Sequence, residues 1–213
     1  MMHLLFRVII LAGAVLISIS TQTQTSLAAA STVQPQPASH KISISVDISN
    51  LTVKGRDSIT LNSRPKSLTL VIRQGSSIDT ATVEGRRLKV IVKDSASKGL
   101  TEAVITLPAL PKDVQGAPVT IEVGFHGSFS PVSAAREKIK RGVAFVDDGV
   151  IGEEGVFLPS DSAWFPREEG VMAVYDAAIS LPDDYTTVME GSLIKSATTN
   201  GIKTEEWKTD DPS

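Results

Sequence analysis

Val156-Phe157-Leu158-Pro159-Ser160-Asp161-Ser162-Ala163-Trp164-Phe165-Pro166-Arg167 packs two prolines and the Trp164–Phe165 pair into a dozen residues. A run follows in which Tyr175, Ala177, Ile179 and Leu181 alternate with Val174, Asp176, Ala178 and Ser180. Period-two alternation places one set of side chains on each face of a strand. Pro182-Asp183-Asp184-Tyr185 reads as a turn. Beyond Thr186-Thr187-Val188-Met189-Glu190-Gly191, two more strand-like segments lead to Trp207.

The same pattern extends upstream. Ile42, Ile44, Val46 and Ile48 alternate with Lys41, Ser43, Ser45 and Asp47, so order is expected from His40. Lys54-Gly55-Arg56 reads as a turn, and Asp57 to Asn62 as a further strand carrying Ile59 and Leu61. Leu68, Leu70 and Ile72 mark another. Ile78 to Val83 turns at Glu84-Gly85 into Leu88, Val90 and Val92. Ala103, Ile105 and Leu107 follow, then Val119 to Phe125, stopping at Gly127. Strands of about six residues, spaced by about ten and separated by Gly, Pro and Asn, predict an all-β fold, an antiparallel sandwich or layered sheet. At most one short helix is expected, over Val132 to Arg141, with Pro131 before it and Gly142 after it. A loop fits that stretch equally well.

The N-terminus reads as an address. Arg7, the apolar run Val8 to Ile19 and the small residues Leu27-Ala28-Ala29-Ala30 have the three parts of a secretory signal. The run is short of the ~20 residues a spanning helix needs. Cleavage is expected after Ala30, with Ala28 as the neighbouring site and an uncleaved anchor as the alternative. Residues 1–30 are thus the signal peptide, 31–39 a disordered proline-bearing tether, and 40–213 a single β-domain expected to lack its last strand or strands. Export implies a periplasmic or extracellular location.

Composition narrows the function classes. The chain has 213 residues, a formal net charge of −3 and no cysteine. Disulfides and thiolate chemistry are excluded. The charges are unclustered, so neither a nucleic-acid footprint nor a polybasic patch for anionic lipid is present, and no membrane contact is expected once the signal is removed.

The ordered series from Gly155 to Trp207 resembles the late part of the N-terminal β-domain of M1-family zinc aminopeptidases. There an aromatic-proline block leads into a strand, then an LP turn with an aromatic, then a strand bearing Trp. The resemblance implies a saddle-like sheet domain that precedes a catalytic region. The family's zinc site requires His-Glu-x-x-His, which sets two imidazoles on one helix face. This chain has only His3, His40 and His126, in no such spacing. The family's Gly-x-Met-Glu-Asn loop is likewise missing around Met172 and Met189. Against the family's Phe-Glu-Pro-x-Asp-Ala-Arg run, Phe157, Pro159 and Asp161 match, while Leu158 and Ala163 replace the glutamate and arginine. The amine-binding position then falls on Val156, which cannot bond an ammonium. The expectation is therefore no catalytic, cofactor-binding or metal residue in this chain, and no cofactor.

The remaining candidates have bland readings beside sharp ones. His126 and His40 could act as bases, or be strand-end histidines bonded to backbone or water. Asp147-Asp148-Gly149 with Glu153-Glu154-Gly155 could hold calcium, or simply turn. Trp164-Phe165-Pro166-Arg167 could be an aromatic platform for sugar or peptide, or a core plug. The segment ending at Trp207 is expected to be the last strand and to leave an open sheet edge for a protein partner. Three identities compete: a truncated product of a longer M1-like protein, a free-standing module of that ancestry, and an unrelated exported binding sandwich.

Overall fold

The computed structural model describes residues 37–97, 99–109, 117–134, 149–171 and 173–209. The signal, most of the tether, Asp147 and Asp148, and most of the 132–141 helix candidate lie outside them; residues 132–134 are helical.

Fourteen strands form three sheets among the described residues. In chain order they are β1 (Pro37–Asp47), β2 (Thr52–Leu61), β3 (Ser67–Arg73), β4 (Ser77–Val83), β5 (Arg86–Arg87), β6 (Lys89–Asp94) and β7 (Leu100–Thr106). Next come β8 (Val119–Ser128), β9 (Ser130–Pro131), β10 (Val150–Gly152), β11 (Gly155–Phe157), β12 (Val174–Pro182), β13 (Ser192–Thr199) and β14 (Ile202–Lys208). The large sheet has eight strands in the order β13-β14-β12-β1-β2-β8-β4-β5. Two three-stranded sheets accompany it, β3-β7-β6 and β11-β10-β9.

The alternation behaves as expected. Ile42, Ile44 and Val46 are buried while Lys41, Ser43, Ser45 and Asp47 face water. One core cluster joins Ile59, Leu61, Ala81, Ile121 and Val123 of the large sheet to Leu68, Leu70 and Ile105 of the β3-β7-β6 sheet. A second gathers Ile42, Ile44, Val53 and Phe125 under Ile151, Phe129 and Phe165. The fold is thus all-β and layered.

Several boundaries differ from the sequence reading. β1 opens at Pro37, so 37–39 belong to the strand and not to a tether. Lys54-Gly55-Arg56 is no turn: it lies inside β2. The reversal comes earlier, where the Asp47 carboxylate accepts from Ser49 Oγ (2.7 Å), the Asn50 amide (3.0 Å) and Asn50 Nδ2 (2.7 Å). Those hydrogen bonds, the Asn50 side chain's first, lower the Asp47 pKa to about 2. Gly55 is glycine for another reason. A Cβ there would lie 2.7 Å from Phe125 Cζ and from Ile44 Cγ2, and 2.8 Å from the Ser43 carbonyl.

β8 runs past Gly127 to Ser128. The expected Leu88–Val92 strand is divided. After the Glu84-Gly85 turn, both at positive φ (51° and 74°), β5 pairs with β4. The Leu88 amide then bonds Ala81 O (2.8 Å), and β6 joins the other sheet. Pairing is mostly antiparallel, but β1 and β12 are parallel, from Ser39 opposite Val174 to Ser45 opposite Ser180. The long chain between them satisfies the crossover that parallel strands demand. Finally, β14 is not an edge: it sits between β12 and β13, and β13 ends the sheet.

Candidate functional site: an apolar groove with an acidic rim

The segment after β11 is shaped by a short 3-10 turn over Ser160–Ser162. Ser162 Oγ donates to Pro159 O (2.7 Å), and Ala163 takes a left-handed conformation (φ 45°). Just beyond that kink the Trp164 and Phe165 rings pack against each other, with centroids 4.5 Å apart and planes inclined by 60°. The chain is then fixed by an antiparallel bridge, with the Arg167 amide donating to Val71 O (3.1 Å) and the Val71 amide to Arg167 O (2.7 Å).

Phe165 is the plug. It is 6% exposed and stands edge-on to His40 (6.0 Å, 78°) and Tyr175 (5.7 Å, 86°). Trp164 is only half-buried, so the plug reading holds for one of the two rings. Trp164 forms a wall of a groove of about 500 Å³. The groove's floor is the large sheet's dry face, at Ile44, Val46, Ile179 and Leu181. Its other wall is the loop after β12, through Tyr185 to Met189. Glu153, Glu154 and Asp184 stand on its rim.

Side-chain hydrogen bonds hold the loop, Lys203 Nζ to Thr186 Oγ1 (3.2 Å) among them. Tyr185 Oη donates to Glu153 O (2.8 Å), tying the loop to the β10–β11 turn. The Thr187 amide and hydroxyl both donate to Glu205 Oε2 (2.7 and 2.6 Å). Trp207 Nε1 donates in turn to Thr187 Oγ1 (2.6 Å). The Thr187 hydrogen bonds hold the Glu205 pKa below the ordinary carboxylate value. Burial first, and then the Asp184, Glu153 and Glu154 charges, push the Tyr185 hydroxyl up.

The two described histidines line no part of the groove. His40 is 2% exposed, and its Nδ1 lies 2.6 Å from Oδ2 of Asp57, which is fully buried. This is not the strand-end histidine bonded to backbone or water that the sequence suggested. Asp57 has a raised pKa because it is desolvated, an effect opposed by His40, and its Oδ1 has no hydrogen-bond partner among the described residues. His126 is exposed on the sheet's opposite side, with Nδ1 2.8 Å from Asp79 Oδ1. Among the described residues no group of three or more His, Asp or Glu could hold a metal ion. Glu153 and Glu154 form the tip of the β10–β11 hairpin. The arrangement offers an apolar surface, carboxylates and hydroxyls, which suits binding.

The groove thus unites three stretches singled out in the sequence: Glu153-Glu154, Trp164 and the Pro182–Tyr185 turn. Sequence reasoning missed His40–Asp57 and the Thr187–Glu205–Trp207 chain. Glu205 carried a weak signal, as a carboxylate on the dry-face register of its strand.

Neither a protein-family model nor a curated protein sequence matches the chain. Solved structures do. An M1 zinc metallopeptidase from Deinococcus radiodurans superposes with a TM-score of 0.64 at 14% identity, covering 83% of this chain and 39% of its own. Yeast LTA4 hydrolase in complex with bestatin gives 0.56 at 11%, covering 83% and 27%. Legionella pneumophila aminopeptidase A in complex with aspartic acid gives 0.58 at 15%, covering 84% and 20%. The fold is that of the M1 N-terminal β-domain. This chain spans well under half the length of those three proteins. Its groove is walled by Trp164 and the loop after β12, in the stretch from Gly155 onward where the sequence resemblance lies, and floored in part by Ile44 and Val46 of β1.

Proposed function

We propose that this chain is an exported β-domain of the M1 type that carries no catalytic site of its own. The observation that carries the reading is a fold shared with M1 zinc metallopeptidases over 83% of the chain, in a sequence without His-Glu-x-x-His. The burial of His40 against Asp57 and the outward position of His126 support it, because neither ring is placed to share a metal. The signal-like segment ending at Ala30 supports export.

Purified protein should carry no stoichiometric zinc and release no amine from aminoacyl reporter substrates. Chelator-sensitive release by clean protein would overturn the non-catalytic reading. Protein recovered from its native host should begin at Ser31 by intact mass; a mass including Met1 would overturn export by cleavage.

A second reading, a binding module for peptide or carbohydrate, draws on one observation: Trp164, partly buried, lines the groove. An array of peptides and oligosaccharides decides it. Binding abolished by Trp164→Ala without loss of folding supports the module, and no binding to any array member rejects it.

A further inference from the structure

Most strands at the sheet edges among the described residues are short, charged or bridged. β5, which ends the large sheet on one side, has two residues, both exposed arginines. β6, an edge of the β3-β7-β6 sheet, exposes Ile91 and Val92 but carries Lys89, Lys93 and Asp94 around them. Lysines and short length are the usual devices against edge pairing. β3, the opposite edge, is bridged at Val71 by Arg167. β9 and β11 are two and three residues long.

β13 is different. Ser192-Leu193-Ile194-Lys195-Ser196-Ala197-Thr198-Thr199 is eight residues long and exposed throughout, with Leu193 at 47% and Ile194 at 61%. It has no proline and no carboxylate. Its one cation, Lys195, is drawn sideways onto Glu206 of β14 (3.1 Å), so it does not repel an incoming strand as a bare edge lysine would. A bulge between Leu193 and Lys195 disturbs the N-terminal end, leaving 195–199 in regular register.

We propose that β13 is a self-association edge: two copies of this chain pair antiparallel through 195–199 and join their eight-stranded sheets about a two-fold axis. Three observations select a second copy as the occupant. An antiparallel β13–β13 pair sets each Lys195 away from its counterpart, toward hydroxyls. Ser196, Thr198 and Thr199 then meet a strand of the same kind, and such cross-strand hydroxyl pairs already occur within the sheet at Thr60–Thr120 (3.1 Å) and Ser180–Thr204 (2.9 Å). β5 offers only two residues, both exposed arginines, and so pairs poorly with a β13, which disfavours head-to-tail pairing into an open filament. The closed, isologous pair is the arrangement favoured. The inference does not depend on the M1 reading.

Sedimentation velocity over a concentration series tests it on the full chain. The expected result is a reversible monomer–dimer equilibrium. Ser196→Lys with Thr198→Lys should abolish the dimer at concentrations where the parent is dimeric, because like charges then face each other. The fold should hold, since both side chains are exposed: the melting temperature should match the parent's at dilutions where both are monomeric, and fall below it where the parent is dimeric. Val92→Lys, on the β6 edge, should leave the dimer intact. The chain has no cysteine, so single cysteines placed along 195–199 report the register: one near the axis should cross-link readily under mild oxidation. A parent that stays monomeric at every concentration overturns the proposal. So does a dimer that survives the double lysine variant, one lost with Val92→Lys, or failure of all five cysteines to cross-link.

Discussion

Phe165 and Trp164 are neighbours in sequence and divide two tasks that the sequence reading had given to both. Phe165→Ala removes a buried ring and should cost ~3–5 kcal/mol, enough to leave a domain holding roughly 5–15 kcal/mol largely destabilised. Trp164→Ala, on the groove wall, should cost clearly less; paired urea unfolding curves measure the difference, and equal losses would return Trp164 to the core. His40 gives a second residue-scale prediction, with pH as the probe. His40→Ala strands the buried Asp57 carboxylate, which should cost ~3–5 kcal/mol near neutrality. Desolvation raises the folded pKa of Asp57 above its unfolded value of about 3.9. Between the two values the folded state holds a proton that the unfolded chain has lost, so stability rises as pH falls through that window. The variant should therefore recover part of its stability on acidification, and the His40→Ala/Asp57→Asn double variant should not show this recovery. Urea midpoints across pH would expose a flat profile in the single variant as evidence against an unpaired buried charge.

At the scale of an element, β2 shows how a strand can carry a glycine that looks like punctuation. Lys54-Gly55-Arg56 reads as a turn because Gly between charged residues is a turn signal. The actual reversal is built by Asp47, whose carboxylate collects the Ser49 and Asn50 donors. Gly55 then continues the ladder, opposite Phe125 on one side and Ile44 on the other, and leaves room for the Phe125 ring. Gly55→Ala should cost ~1–3 kcal/mol as overpacking, although alanine favours a strand backbone over glycine in the unfolded-chain balance. Phe125→Leu in the same chain should relieve part of that loss, since the aromatic tip is one of the two nearest atoms. The Ser43 carbonyl at 2.8 Å keeps the relief incomplete. A neutral Gly55→Ala by thermal melting would show that the strands can spread apart at that crossing.

For the whole molecule, the two core clusters share one sheet. Ile59, Leu61 and Ile121 belong to the first cluster, and Val53 and Phe125, on the same two strands, to the second. β2 and β8 thus run through both cores, so neither can melt without the other's strands. Ile121→Val and Ile42→Val, one in each cluster, should each remove ~0.5–1.5 kcal/mol and lower one common transition by a few degrees, at about 2–4 °C per kcal/mol for this size. Calorimetry that resolved two transitions, with each variant shifting only one, would show two independent units instead.

What the sequence determined by itself was local. The alternation of Ile42-Ser43-Ile44-Ser45-Val46 assigns a dry and a wet face whatever strand lies alongside, because side-chain direction has period two in any strand. The same holds for Val119 to Phe125, and the Glu84-Gly85 turn and the Pro182–Tyr185 turn are likewise written in short range. Which strands become neighbours is not. Any alternating strand can pair with any other, so nothing in β1 specifies a parallel β12 far along the chain, and nothing in β14 says that β13 folds outside it and takes the edge. The candidate site follows the same division. Its acids, its tryptophan and its turn were visible as composition, but the groove exists only because β10–β11, the 3-10 turn and the loop after β12 converge on one sheet face. His40 and Asp57 read as an ordinary strand residue and an ordinary polar one. Only the antiparallel register of β1 and β2 brings an imidazole to a carboxylate in a buried place, and burial is what turns that contact into a determinant of stability.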